Sequence, residues 1–459
     1  MIRTSRTSDS ASNRHNRTRV LVITDDVTEI SDLVEALRLQ SLDVQLLGYD
    51  GASEIDFPSE SPAAALCFLT DFVEHSADLV TRIRANYAPR YIPVIGRLSR
   101  MSDYDEAYDS VLYAPVHPAQ LSQRIAAMIR LGRMEVEISR RALTLKESFG
   151  QDFALNDRDV REPFRILFVG KADPSYMVIV NALKDKNVDV VAAFTSFTAF
   201  DYLHDRTFDA VIMNALNCHE PAMTISESMR RNSRLYHVPT LFLVDDLKFD
   251  GRDRAYSSGA SDLIDVNSPL SEISGRVLEL ANYHRLHEQL KNEFKGLGGA
   301  TCTDPETGMF NGEFLAAHLR RVSRDCRARQ QPLTILTMKL HPDTRDAVTA
   351  DDLRRAYSKA VSLISGLVRM QDIVARVDID TVIIAFPEEV RSAVETVLDR
   401  MTGLIECAAF EREGGGPSSL TLRIEAAIIE QEIHESAEML IGNGLRSVDR
   451  DAIEISRRA

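Results

Sequence analysis

Tryptophan is absent, cysteine is scarce, and no stretch of about 18 apolar residues occurs in this 459-residue chain. The last absence argues against a membrane-spanning helix. The polar start, with Arg3, Arg6, Arg14 and Arg17 and no apolar core, reads as neither signal peptide nor anchor. The five cysteines, at positions 67, 218, 302, 326 and 407, form no C-x-x-C and no metal-ligand spacing, so buried free thiols in a reducing cytoplasm are expected. No two of the eleven histidines are read as a metal-binding pair, and His237, before Val238-Pro239, reads as a loop residue. Basic charge is also in deficit, with 54 Lys and Arg against 69 Asp and Glu and a net charge of −15. That balance argues against a general nucleic-acid-binding role but allows a local basic pocket for a small nucleotide.

What remains is ordinary globular composition, 44% hydrophobic and 27% charged, in a chain long enough for about three domains. Residues 1–16, rich in Ser, Arg and Asn, read as a disordered tail. A period then occurs twice. The first repeat opens with Arg19-Val-Leu-Val-Ile-Thr24, a short apolar run that reads as a buried parallel strand. A helical stretch, Glu29 to Gln40, carries Ile30, Leu33, Val34 and Leu37, and strands are expected near 43–48, 64–70, 92–96 and 111–113. The second repeat opens with Arg165–Val169 and continues through Val188–Ala193, Asp209–Met213, Thr240–Val244 and Asp262–Ile264. Strands alternating with helices predict two doubly wound α/β domains, over residues 17–134 and 163–284. Both resemble response-regulator receiver domains, which are flavodoxin-like (CheY-like) in fold. A charged, mostly helical linker spans 135–162. Ser271 to Lys295 reads as one long helix ended by Gly296, Gly298 and Gly299, with residues 285–300 a stalk to a third domain over 301–459. Its apolar stripe, Tyr283, Leu286, Leu290 and Phe294, either packs on the receiver or pairs with a second chain, and the sequence favours neither.

A working receiver holds Mg2+ on an acidic pair after its first strand and accepts phosphate on an Asp after its third. It also uses a Ser/Thr after the fourth strand and a Lys before Pro after the fifth, which offset phosphoryl charge. The resemblance implies that Asp25, Asp26 and Asp71 of the first repeat form a Mg2+ site, with Asp71 the phosphoacceptor and a histidine kinase its partner. The expected Lys-Pro is Ala114-Pro115, however, and the Ser/Thr position falls on Leu98, with Ser99 one residue away. In the second repeat the acidic pair is Gly170-Lys171, the acceptor Asn214, and the Lys-Pro position Val266-Asn267. Phosphorylation there is not expected, and a structural, dimerising or docking role is.

The third segment opens Thr303-Asp-Pro-Glu-Thr-Gly-Met-Phe-Asn-Gly-Glu-Phe314. It is similar to the D-x-L-T-G-L-x-N-R-R-x-F opening of GGDEF (diguanylate cyclase) domains at Asp304, Thr307, Gly308, Asn311 and Phe314. The order receiver, receiver, GGDEF resembles PleD-type response regulators over residues 17 to about 455. It implies a nucleotidyl-cyclase-like α/β third domain. The family's catalytic parts are replaced: the GGDEF hairpin reads Asp378-Ile379-Asp380-Thr381-Val382, and the metal-binding Asp-x-Asp of the first strand reads Lys339-Leu340-His341. An ammonium does not substitute for a carboxylate that binds a dication. The downstream motifs for guanine and ribose are also missing.

The inhibitory R-x-x-D site of such domains survives as Arg369 and Asp372, five residues ahead of the hairpin, and Arg400 matches a second family Arg thirteen residues beyond Pro387. Guanidinium groups suit phosphate or the guanine O6/N7 edge, and a carboxylate suits guanine N–H groups. The tetrad alone is uninformative, since Arg6–Asp9, Arg100–Asp103, Arg206–Asp209 and Arg446–Asp449 also fit it. The bland alternative for Arg369 and Asp372 is a surface salt bridge worth about 0.3–0.5 kcal/mol. Arg376 reads as structural, and Glu388-Glu389 and the Gly414–Pro417 loop as solvated. The resemblance thus implies a non-enzymatic receptor for cyclic di-GMP in bacterial two-component signalling, bound at Arg369, Asp372 and Arg400. Its output would be protein–protein recruitment in a cell-cycle or proteolysis pathway, in the cytoplasm or at a cell pole. A homodimer is expected, without nucleic acid or membrane insertion. The rivals are a weak diguanylate cyclase, a phosphorylation-switched scaffold and a GTP-binding remnant.

Overall fold

The computed structural model describes residues 18–40, 42–49, 55–69, 76–88, 91–98, 107–153, 162–343, 348–412, 419–432 and 434–456. They form two units, Met1–Gly132 with Asp157–Gln289, and Arg133–Asn156 with Leu290–Ala459.

The first unit contains both repeats. In the first repeat β1 (Thr18–Thr24), α1 (Ser31–Leu39), β2 (Leu42–Gly48), β3 (Ala64–Phe68), α2 (Ser76–Tyr87), β4 (Val94–Leu98) and β5 (Ser110–Tyr113) precede α3 (Pro118–Phe149). Its parallel strands run β2-β1-β3-β4-β5, the flavodoxin-like order. Alternate residues of β1 serve opposite layers: Leu21 and Ile23 join one core, Val20 and Val22 the other. A strand covered on both faces must be apolar throughout, which is why it reads as an unbroken apolar run.

The second repeat follows the same plan. It comprises β6 (Phe164–Val169), α4 (Pro174–Leu183), β7 (Val188–Ala193), α5 (Ser196–Asp205), β8 (Ala210–Asn214), α6 (Glu220–Arg231), β9 (Thr240–Val244), α7 (Arg252–Ser257), β10 (Asp262–Asp265) and α8 (Leu270–Gly296). The order β10-β9-β8-β6-β7 is the first sheet read from its other edge. The expected pair of doubly wound α/β domains is therefore present.

The two repeats pack on each other within this unit. Arg124 and Arg276 are each the seventh residue of their helix; Arg124 is buried and the Arg276 side chain is 10% exposed. Arg124 pairs with Glu279 of α8, whose carboxylate also accepts from Ser110 Oγ (2.6 Å) and Val111 N (2.9 Å). Arg276 pairs with Asp262 (3.1 Å) and lies over the Tyr113 ring, 4.5 Å from its centroid, while Gln120 donates to Asp262 (2.6 Å). Tyr283 packs on the core of the first repeat and its hydroxyl donates to the Asp109 carbonyl. The stripe left open by the sequence thus rests on the first repeat at its first residue.

The second unit holds β11 (Phe310–Asn311), α9 (Gly312–Ala328), β12 (Leu333–Pro342), α10 (Ala350–Ser365), β13 (Ile373–Arg376), β14 (Thr381–Pro387), α11 (Arg391–Cys407), β15 (Leu422–Glu430) and α12 (Ala437–Ser456). Its mixed sheet runs β11-β13-β14-β12-β15, antiparallel except for β11 with β13. The opening motif is a folding device. Asp304 accepts from the Thr307 backbone (2.9 Å) and hydroxyl (2.7 Å), Gly308 takes the left-handed φ of 70° that suits glycine, Asn311 caps α9 through Phe314 N (2.9 Å), and Phe314 is buried.

The later part of α3 belongs to this unit and inserts a charged cluster into it. Glu137 is bonded to Arg141 (2.7 Å) and His318 (3.0 Å), and Arg140 to Asp325 (2.9 Å). Burial opposes ionisation of Glu137, but His318 and Arg141 outweigh it and hold the carboxyl down to about 2. Among the described residues no helix is long and apolar enough to cross a membrane. Two expectations are corrected. Cys218 and Cys407 are exposed, because Cys218 lies between β8 and α6 and Cys407 is the last residue of α11. His284 and His287 do come together, with Glu288, because three- and four-residue steps share a helix face.

Candidate functional site

The turn leading into β13 brings Arg369, Asp372 and Arg400 together. The Asp372 carboxylate accepts from the Arg369 backbone N–H (2.8 Å), closing the turn locally. Arg400, exposed on α11, donates to the Leu367 carbonyl (2.9 Å) just ahead of it. From the other side Arg141 donates to the carbonyls of Met370 (3.1 Å) and Asp372 (2.9 Å). One buried guanidinium thereby fixes the backbone of the turn and the charge of Glu137.

The two R-x-x-D side chains have different surroundings. Asp372 is 7% exposed, and burial, only partly offset by the Arg369 N–H and charge, pushes its carboxyl up to about 7. The Arg369 side chain is 58% exposed and pairs with Glu389 rather than with Asp372. Glu389 also meets Arg133 (3.3 Å), whose Nε reaches Glu388 (3.2 Å). The reading of Glu388 and Glu389 as solvated is therefore corrected. Their side chains are 11% and 20% exposed because Arg133, distant in sequence, covers them.

The other end of β13 is closed. The hairpin is tight, with Val377 N donating to Thr381 O (3.0 Å). Arg376 binds Asp304 (3.1 Å), Glu306 (2.9 Å) and the Ile379 carbonyl (2.9 Å), the structural role expected of it. Lys339 pairs in register with Thr381 and bonds Asp449 (2.9 Å). That bond raises its pKa, so the ammonium is held charged beside the hairpin. His341 meets Glu425 (3.0 Å). Positions 339 and 341 of this strand thus carry Lys and His, each paired with an acid.

In the first repeat Asp25 and Asp26 follow β1 and are exposed. Asp26 accepts from Thr28 N (2.8 Å) and Oγ1 (2.5 Å), chiefly the latter lowering its pKa. Asp71 and Ser99, like the Gly414–Pro417 loop, lie outside the described residues. Ala114-Pro115 follows β5 and offers no amine. In the second repeat Asn214, at the acceptor position, donates to Asp173 (3.2 Å) and Ser175 (2.8 Å). A Cβ on Gly170 would lie 2.4 Å from Asn214 Cβ, so glycine permits this closure.

Arg141 and Arg133, the supports of the R-x-x-D turn, were not legible as site residues. They lie over 200 residues away, Arg141 in the segment that reads as linker and Arg133 at the end of the first expected domain.

No protein-family profile matches the chain, and no curated protein matches it. Among solved structures it is similar to the coiled coil and GGDEF domain of DgcB from Caulobacter crescentus, in complex with c-di-GMP. The identity is 17% over 38% of this chain and 90% of that one, with a TM-score of 0.30. The FimX GGDEF domain from Pseudomonas aeruginosa aligns at 16% identity over 33% of this chain and 94% of that one, TM-score 0.28. The chemotaxis response regulator CheY4 of Vibrio cholerae aligns at 15% identity over 26% of this chain and 98% of that one, TM-score 0.24.

Proposed function

We propose that the chain is a non-catalytic effector that binds cyclic di-GMP at Arg369, Asp372 and Arg400 and acts through protein–protein contacts. The observation that carries this reading is the gathering of those three residues about one turn, one acid and two guanidinium groups, of which Arg400 and Arg369 are exposed. Guanidinium forks recognise phosphate or the guanine Hoogsteen edge, and the Asp372 carboxylate is the acceptor for guanine N–H groups. At the far end of the strand the Lys339–Asp449 pair places a cation where a cyclase needs metal-binding acid, which supports a receptor over an enzyme.

The contacts of Arg369 suggest how binding is transmitted. A ligand phosphate on its guanidinium takes the place of Glu389, and Glu389 is also held by Arg133 of α3. Ligand therefore exchanges one counter-ion and alters the hold on α3. The resemblance narrows to PopA, a degenerate relative of PleD, and with it to ligand-timed recruitment of a regulator for proteolysis at a cell pole.

Calorimetric titration of cyclic di-GMP tests the reading. Saturable binding by the full chain, lost in Arg369→Ala, is the expected result, with no Mg2+-dependent product from GTP. Failure of the unmodified chain to bind overturns it. The exposed Asp25-Asp26 pair favours a second reading, a phosphorylation switch at Asp71 without nucleotide ligand. In that case Asp71→Asn abolishes function and Arg369→Ala leaves it intact.

A further inference from the structure

A second cluster lies in the first unit, on α8, and shares no residue with the R-x-x-D turn. His284, His287 and Glu288 are spaced by three and four residues, so the helix places their side chains on neighbouring turns of one face. One donor atom from each lies within 4.8 Å of the others. His287 Nδ1 and Glu288 Oε1 are 3.4 Å apart. Two donors about 2.0–2.1 Å from a tetrahedral ion stand at about that separation, so small side-chain movements complete the set.

His287 supplies an independent sign. The residue is 8% exposed, and its Nδ1 has no hydrogen-bond partner. The Glu288 carboxylate faces that atom without a hydrogen bond to it, and a cation bound by both would satisfy the buried nitrogen. His237 stands against His287, ring centroids 4.4 Å apart, but its Nδ1 faces Arg130 Nη1 at 3.2 Å. That engagement keeps His237 Nδ1 out of the donor set, and it brings a positive charge that the site must bind a metal against.

We propose that His284, His287 and Glu288 form a binding site for a divalent transition-metal ion of the zinc type. Two imidazoles and one carboxylate suit a borderline ion, whereas Mg2+ and Ca2+ prefer sets made of oxygen. Three protein donors leave at least one coordination position for water or a donor from a partner. The site is independent of the cyclic di-GMP turn.

The full chain, stripped with a chelator, is titrated with Zn2+ against a chromophoric competitor. One equivalent is expected to bind, at least about tenfold more weakly in His284→Ala/His287→Ala and in His287→Gln. Cys218→Ser/Cys407→Ser, which removes the exposed thiols, is expected to keep that equivalent, and Co2+ is expected to give a spectrum without thiolate charge transfer. Equal thermal unfolding of the apo variants and the apo unmodified chain separates lost ligands from lost fold. Should the double histidine variant bind Zn2+ as the unmodified chain does, or the thiol variant lose it, the assignment is overturned. Should a histidine variant unfold early as an apoprotein, the Co2+ spectrum of the unmodified chain decides: imidazole and carboxylate ligation supports the site, and thiolate ligation or no binding overturns it.

Discussion

The turn carrying Arg369 and Asp372 and the hairpin at Asp378–Val382 flank the same strand, β13, yet their chemistry differs. At the turn, Arg141 and Arg400 spend hydrogen bonds on backbone carbonyls, which fixes the main chain and leaves Arg369 exposed at its tip. At the hairpin, Arg376 binds the tip itself and Lys339 is neutralised by Asp449, so the cations there are already matched. The two ends of the strand are thus held by separate sets of side chains. Four experiments break or sharpen this contrast.

The largest effect is expected from Arg141→Ala. It leaves Glu137, 2% exposed, without one of its two hydrogen-bond partners and strips two hydrogen bonds from the R-x-x-D turn. Removing one member of a buried pair costs about 3–5 kcal/mol, measurable by urea denaturation. Cyclic di-GMP affinity is expected to fall as well, since the turn loses its support. Arg141→Lys keeps the charge without the planar fork and belongs in between. A loss below about 1 kcal/mol in the alanine variant would separate α3 from the stability of the turn.

Next comes pH. With the Asp372 carboxyl at about 7, a ligand that needs the carboxylate must first remove a proton at lower pH. Cyclic di-GMP affinity should therefore drop about tenfold from pH 8 to pH 6, and Asp372→Asn should bind weakly and without that slope. The sign for folding is opposite. A carboxyl whose folded pKa is raised above 3.8 favours the fold while protonated, and this contribution fades as pH rises from about 4 through about 7. Paired binding and unfolding curves that slope in opposite directions are the expected signature. A flat binding curve would leave Asp372 as a turn-former only.

A smaller effect is expected from Glu389→Gln. If Glu389 competes with ligand phosphate for Arg369, its removal tightens binding by up to about fivefold, in line with about 0.2–1 kcal/mol for a partly exposed ion pair. Weaker binding in this variant would instead make Glu389 part of the ligand site.

Much of this arrangement was legible in the sequence, for a physical reason. Parallel strands buried on both faces must be apolar throughout, so Arg165–Val169 and Thr240–Val244 announce themselves, and the family spacing carries Arg369, Asp372 and Arg400 to one turn. What the sequence hides is who reaches whom across long separations. Glu389 reads as solvated because nothing near it in the chain is basic in the right register, and only folding brings Arg133 to it. Tyr283 shows the same limit, since a stripe on a helix does not name its cover. The expectation of a homodimer rested on receivers pairing and on the apolar stripe of the long helix; here the two repeats pack on each other within one chain, through Arg124–Glu279 and Gln120–Asp262.

The smallest change is expected at the hairpin. Lys339→Asp exchanges the ammonium for the carboxylate that, on the proposed reading, a cyclase would carry there, opposite Thr381. It also breaks the bond to Asp449 and sets two acids near each other. One restored ligand does not rebuild a two-metal site when the hairpin still carries Asp378 and Ile379 in place of glycines and the guanine-binding segments are missing. No Mg2+-dependent cyclic di-GMP is therefore expected from GTP, and unchanged ligand binding at the far end of β13. Product formation by the single variant would show that Lys339 alone holds the enzyme off, and the contrast between the two ends of the strand would become one of a switch rather than of loss.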